Sequence, residues 1–364
     1  VAQSMILFYL VSAGGLMSYY IRLLSEKRKK AHMAFGPFCG GLFFMLSPVV
    51  FGHIVGGAFN QLFTMVSLML LLIILEVGAT RKSISRTAIE ISLVFILISV
   101  TLHNHLIGLF ITACYVLFLY DWSIQKKLEL VLKTSVLSLL LAAYWLLPTL
   151  YGLTQINITQ KLKENITFGN LIANVPSLSS ALFANGYIRR FYDFMVIDKL
   201  FFIWKTVGLF LFLVIAISVF LTIKSKFQNN KYIIFWFGLY LLFINFATGF
   251  IGPFGTLVKF LYENFSPLSI FRSPQWWMMP LTICFAILIG LSFARLINFL
   301  RPKLLVKATL LILLIFVLHP FYLSGDLGIE KLYKRQLATD NWYKADHLDL
   351  YKVPADYQKA IEVL

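Results

Sequence analysis

The feature that most narrows the fold is a series of apolar runs that are continuous rather than alternating. Each is bounded by charge or by Gly, Asn and Pro turns. Helices are predicted at about 5–23, 33–52, 60–78, 89–102, 106–120, 130–152, 200–223, 232–250, 275–297 and 306–323. A helix of roughly 20 residues crosses a bilayer, whereas a membrane β-barrel needs alternating segments of about ten. Hydrocarbon offers nothing to an unpaired backbone N–H or C=O, so continuous apolar runs fold as helices. The expected fold is all-α, a polytopic transmembrane helical bundle of about ten helices. Composition agrees: 59% of the 364 residues are hydrophobic and 13% charged, against about 45–50% apolar in a soluble domain.

The charges indicate orientation. The chain carries 32 Lys+Arg against 16 Asp+Glu, a net +16. Most basic residues stand at the ends of apolar runs, so they read as topology signals and lipid-headgroup contacts, with no nucleic-acid partner implied. Lys27–Lys30, Arg81 with Lys82 and Arg86, Lys126 with Lys127 and Lys133, Lys224 with Lys226 and Lys231, and Arg295 with Arg301, Lys303 and Lys307 all fall at one face if the helices alternate. The turns near 53–59 and 103–105 carry no Lys or Arg. The basic face is therefore expected to be cytoplasmic. Loops 153–199 and 251–274, and the segment 325–364, are expected outside. The division is a membrane domain over 1–324 and the start of an outer soluble segment over 325–364, where seven of the sixteen acids lie. Val1 already lies inside an apolar run and the amphipathic pattern from Tyr357 stops at Leu364, so the chain reads as a piece of a longer protein. The integral membrane is the expected location, a prokaryotic plasma membrane in particular.

Three polar constellations interrupt this background. In Phe271-Arg272-Ser273-Pro274-Gln275-Trp276-Trp277 an arginine sits at the mouth of a helix. Pro274 suits a first helical turn and the tryptophans suit headgroup level. A guanidinium there can hold a phosphate bidentately, or anchor to ordinary lipid. Around Ser47-Pro48, Gly52-His53, Gly56-Gly57 and Asn60-Gln61, the glycines permit close approach. His53, Asn60 and Gln61 can hydrogen-bond sugar hydroxyls; a Gly-rich interhelical turn is the plainer reading. The third constellation is His103-Asn104-His105, read as the tight turn of a hairpin over 89–120.

No third ligand accompanies the two histidines, so a divalent metal is unsupported. No cofactor is evident. Cys39, Cys114 and Cys284 lie within apolar runs, without disulfide or metal spacing. Glu76 and Glu90 are expected to pair with Arg81 or Lys82. The outer loop that holds Asp193 and Asp198 beside Arg189 and Arg190, with Tyr187, Phe191, Tyr192 and Phe194, reads as an interfacial amphipathic helix.

Leu46-Ser47-Pro48 with Gly52-His53, Tyr144-Trp145-Leu146-Leu147-Pro148 closing a helix, Phe271-Arg272-Ser273-Pro274, and Val353-Pro354-Ala355-Asp356-Tyr357 occur in an order that resembles the membrane half of the GT-C integral-membrane glycosyltransferases, the arabinofuranosyltransferase-like and YfhO-like members especially. The resemblance implies a transferase that takes a sugar from a polyprenyl-phosphate donor and passes it to a glycan acceptor at the outer membrane surface, in cell-envelope or protein glycosylation. Arg272 would then steady the carrier phosphate, while His53, Asn60, Gln61 and His103 line the sugar pocket. Such enzymes place a catalytic Asp or Glu in the first outer loop. Turns 53–59 and 103–105 hold no acid, so the catalytic carboxylate is expected upstream of Val1 and stays unassigned. A multi-pass transporter or lipid flippase, with inverted repeats and broken helices, and a non-catalytic membrane scaffold are the competing readings.

Overall fold

The computed structural model describes residues 2–26, 35–47, 49–50, 53, 59–81, 83–99, 101–155, 178–184, 198–224, 231–264, 274–299, 304, 307–308 and 311. The described elements are helical throughout. In chain order they are α1 (Ala2–Glu26), α2 (Phe35–Leu46), α3 (Phe59–Thr80), α4 (Ile84–Ile98), α5 (Leu102–Leu119), α6 (Ile124–Gln155), α7 (Leu178–Leu182), α8 (Asp198–Lys224), α9 (Lys231–Thr248), α10 (Gly255–Asn264) and α11 (Met278–Phe299). Short 3-10 turns at Gly249–Ile251 and Pro274–Trp277 precede α10 and α11. Among the described residues, α1, α3, α5, α6, α9 and α11 are long and apolar enough to cross a membrane. The protein is a transmembrane helical bundle.

Helix α11 runs through the middle of the bundle, almost wholly enclosed. Helix α2 is wedged between α11 and α1, α9 and α8 close the other side of α11, and α3, α4 and α6 follow one another outward from α1. Lipid is as apolar as leucine, so helices in a bilayer associate through close packing and polar links. The wedge depends on close packing. A Cβ on Gly36 would collide with the Gly290 carbonyl oxygen and lie 2.7 Å from the Ala294 Cβ, and one on Gly41 would lie 2.5 Å from the Gly14 carbonyl oxygen. Only the missing side chains let α2 approach both neighbours. The outward face of α6 is the opposite case: Leu128, Leu132, Leu140, Tyr144 and Leu147 are exposed at helical spacing, a surface made for lipid.

Polar links gather where the basic clusters lie. Glu76 of α3 is buried and accepts from the hydroxyls of Tyr115 on α5 and, at 3.2 Å, Tyr232 on α9. Tyr20 of α1 donates to the Tyr115 oxygen at 3.3 Å, and Tyr120 donates to the Leu75 carbonyl at 2.7 Å. Four helices are thus tied to one carboxylate. Lys231 donates to the Leu119 carbonyl at 3.1 Å and to Asp121 at 2.8 Å, which places a cation at the C-terminus of α5. Arg295 joins α11 to α8 through Thr222 and the Leu221 carbonyl. These bonds bring the ends of α1, α3, α5, α8 and α11 and the start of α9 to one basic end of the bundle.

Several expectations change. Glu90 pairs with Arg81 as expected and Arg86 joins it at 3.0 Å, whereas Glu76 accepts from tyrosine hydroxyls. The tyrosine hydroxyls of α5 and α9 reach Glu76, and that of α1 reaches it through Tyr115, because Glu76 lies a full turn before the helix end. Helix α6 does not close at Pro148 but continues to Gln155; prolines are tolerated inside membrane helices when neighbours satisfy the freed carbonyl. The stretch 251–274 contains α10 as well as loop. Residues 187–197, most of the tenth apolar run and all of 325–364 lie outside the described residues.

Candidate functional site

At the end opposite the basic clusters, four pieces converge: the start of α3, the α4–α5 connection, the start of α5 and the 3-10 turn opening α11. The connection is tighter than its sequence suggests. The Thr101 hydroxyl accepts from the Asn104 N–H at 3.4 Å, an N-cap. Helix α4 ends at Ile98 and α5 begins at Leu102, so His103-Asn104-His105 forms the first turn of α5 rather than the hairpin turn itself. The cap sends the three side chains in different directions.

Asn104 turns inward to α3. Its Nδ2 donates to the Thr64 hydroxyl at 2.9 Å and to Gln61 Oε1 at 3.4 Å. Thr64 passes its own hydrogen to the Asn60 carbonyl at 3.0 Å. Both amide side chains are buried, Asn104 fully and Gln61 to 3% exposure. Yet, among the described residues, Gln61 Nε2 and Asn104 Oδ1 have no hydrogen-bond partner. Buried polar atoms are nearly always paired. Here one spare donor and one spare acceptor lie on two side chains already bonded to each other.

His103 goes toward α11. Its ring packs on Trp276, centroids 3.8 Å apart, and its Nε2 meets the Thr101 hydroxyl at 3.0 Å. The adjacent Trp277 is buried against Phe246 and Phe243 of α9, at 4.8 and 5.8 Å. It packs inside the bundle, while Trp276 packs on His103. His105 faces α6 and α4: Nδ1 meets the Ser99 hydroxyl at 2.6 Å and Nε2 the Ser138 hydroxyl at 3.4 Å, with Phe95 at 5.0 Å. Its two nitrogens are both engaged, so it serves the packing of the hairpin.

No family model, curated protein or solved structure matches this chain.

Of the residues singled out from sequence, Gln61 and His103 come together here, joined by Asn104, Thr64 and Trp276. Asn60 is exposed, and its side-chain oxygen accepts the Gln61 N–H at 2.9 Å, a local cap. His53 is buried, and burial pushes its imidazole from the ordinary 6.5 down to about 4. Arg272 lies outside the described residues, two positions before the turn that carries Trp276. Among the described residues, no three His, Cys, Asp or Glu side chains gather as a metal-holding group. Asn104 was named from sequence only as part of the His103-Asn104-His105 turn and not as a pocket residue, and Thr64 was not singled out. The usable signal was the Thr101-to-Asn104 cap spacing, together with Gln61 and Thr64 three apart on one face of α3.

Proposed function

We propose that the protein is a membrane glycosyltransferase of the GT-C kind, taking a sugar from a polyprenyl-phosphate donor at the end of the bundle opposite the basic clusters. The basic end then faces the cytoplasm and the site faces outward. One observation carries the reading: the spare Gln61 Nε2–H and the spare Asn104 Oδ1. A hydroxyl donates one hydrogen while accepting another, so sugar hydroxyls match both kinds of spare atom. The neighbouring Trp276 ring supplies an apolar face of the kind sugar C–H groups pack against.

In this reading the acceptor's hydroxyl loses its proton to a base that none of these residues supplies. The freed oxygen bonds to the anomeric carbon. The bond from that carbon to the phosphate oxygen breaks, and the electron pair leaves with the polyprenyl phosphate. Arg272 holds the phosphate and meets the charge growing on it.

The test uses the full-length protein in lipid nanodiscs, with undecaprenyl phosphate and undecaprenyl-phosphate-linked glucose, galactose and arabinose as probes. Arg272→Ala should weaken all of these lipids by about 30-fold, the loss of one charge-assisted bidentate contact. Arg272→Lys should recover part of this. Asn104→Leu should weaken only the sugar-bearing lipids. Equal binding by wild type, Arg272→Ala and Asn104→Leu would refute the reading, and the two amides would then hold a buried water. Carrier movement across the bilayer without sugar transfer would favour a flippase.

A further inference from the structure

Helix α10 begins seven residues after α9 ends, beyond the turn Gly249–Ile251. It packs on that turn and on the end of α9. At about 100° per residue, its sequence separates into three flanks. Gly255 and Val258 form one, and both are buried, Val258 to 3% exposure. Thr256 and Lys259 form the second, exposed and polar. Phe254, just before the first turn, Leu257 and Phe260 form the third. They are exposed to 58%, 54% and 58%, with Ile251 at 56% just upstream.

The first flank is buried against the protein and the second is exposed and polar. The third is bulky and apolar, and each of its three residues is more than half exposed. What covers it follows from the chain: α9 is a candidate membrane span with its own exposed Leu241 and Leu242, so its end lies at a leaflet boundary. A helix tethered there by so short a link stays at that depth. We propose that α10 is an in-plane interfacial helix, with Phe254, Leu257 and Phe260 immersed in the leaflet at the end opposite the basic clusters. Thr256 and Lys259 face the headgroups and water. The Lys259 stem lies along the apolar boundary while its ammonium reaches the headgroups. The inference concerns only where α10 lies and is independent of the chemistry proposed above.

Two measurements on the full chain in phosphatidylcholine vesicles test it. A bilayer-dissolved diazirine, photolysed with the unsubstituted protein and mapped by mass spectrometry, should mark Phe254, Leu257 and Phe260 and spare Thr256 and Lys259. Nitroxides placed singly by Phe254→Cys, Leu257→Cys, Thr256→Cys and Lys259→Cys should alternate in collision with oxygen and with an aqueous nickel chelate. Oxygen should dominate at 254 and 257, nickel at 256 and 259. Cys39 and Cys284 are buried, and the labelled wild type supplies the background. Strong nickel collision at 254 and 257 would overturn the proposal, as the flank would be in water. Low collision with both reagents there, without diazirine marking, would also overturn it and assign the flank to protein contact, a second copy included.

Discussion

The two ends of the bundle each hold a buried polar cluster built from α3 and α5, and they are finished differently. At the basic end, both Glu76 oxygens receive a phenol hydroxyl, and Tyr20 and Tyr120 complete the set. At the opposite end, Asn104 and Gln61 bond to each other and still leave one donor and one acceptor over. A closed network fixes helix positions, and an open one awaits a further polar group. The same pair of helices therefore carries a structural knot at one end and a binding arrangement at the other.

Four experiments can break or sharpen this contrast. The largest effect is expected from Glu76→Ala, which strips the acceptor from two buried hydroxyls and should lower stability by about 4 kcal/mol. Glu76→Gln, which keeps one oxygen, should be milder; thermal unfolding in detergent measures both. If Glu76→Ala is neutral, the basic end is not a knot. Next is Gly36→Val, which forces α2 away from the Gly290 carbonyl and should cost about 3 kcal/mol by overpacking. The same denaturation series checks it, with Gly15→Ala as control, since a Cβ there meets nothing within 4 Å.

Acid should weaken the fold through His53. Burial holds the His53 imidazole neutral, with its pKa lowered from 6.5 to about 4. The unfolded chain takes up that proton near 6.5. The stability tied to this group is therefore fully present above that value, falls as pH drops toward about 4, and levels off below. The loss is on the order of 2 kcal/mol, and His53→Leu should flatten that part of a stability-versus-pH curve. An unchanged slope would show that His53 is not the group responding.

The smallest stability effect is expected from Asn104→Leu, about 1 kcal/mol, because it removes one unsatisfied acceptor while leaving Gln61 Oε1 without its donor. Its consequence should appear in binding of sugar-bearing lipid. A loss of several kcal/mol instead would make the opposite end a second knot.

Much of this was legible in the residues. Continuous apolar runs determine helices because hydrocarbon forbids unpaired backbone groups, and the basic clusters fall at a common end because the helices alternate. Glu90 finding an arginine was readable from spacing along the chain. Glu76 finding tyrosines was not, since Tyr115 and Tyr232 lie 39 and 156 residues away. Gln61 and His103 drew notice as polar residues at helix ends. Asn104 was passed over as part of a turn, because the Thr101 cap that sets its direction depends on where the reversal falls.

The sequence by itself determined a helical membrane protein, the approximate spans, and the sorting of charge to one end, since these follow from local solvation of each segment. Only the tertiary structure decided that Gly36 and Gly41 are contact points, that Glu76 is enclosed by phenols, and that Asn104 and Gln61 meet with two atoms left over. Those outcomes depend on which helices become neighbours, and neighbours distant in the chain are selected by packing and hydrogen-bond geometry rather than by the apolar pattern of any one helix.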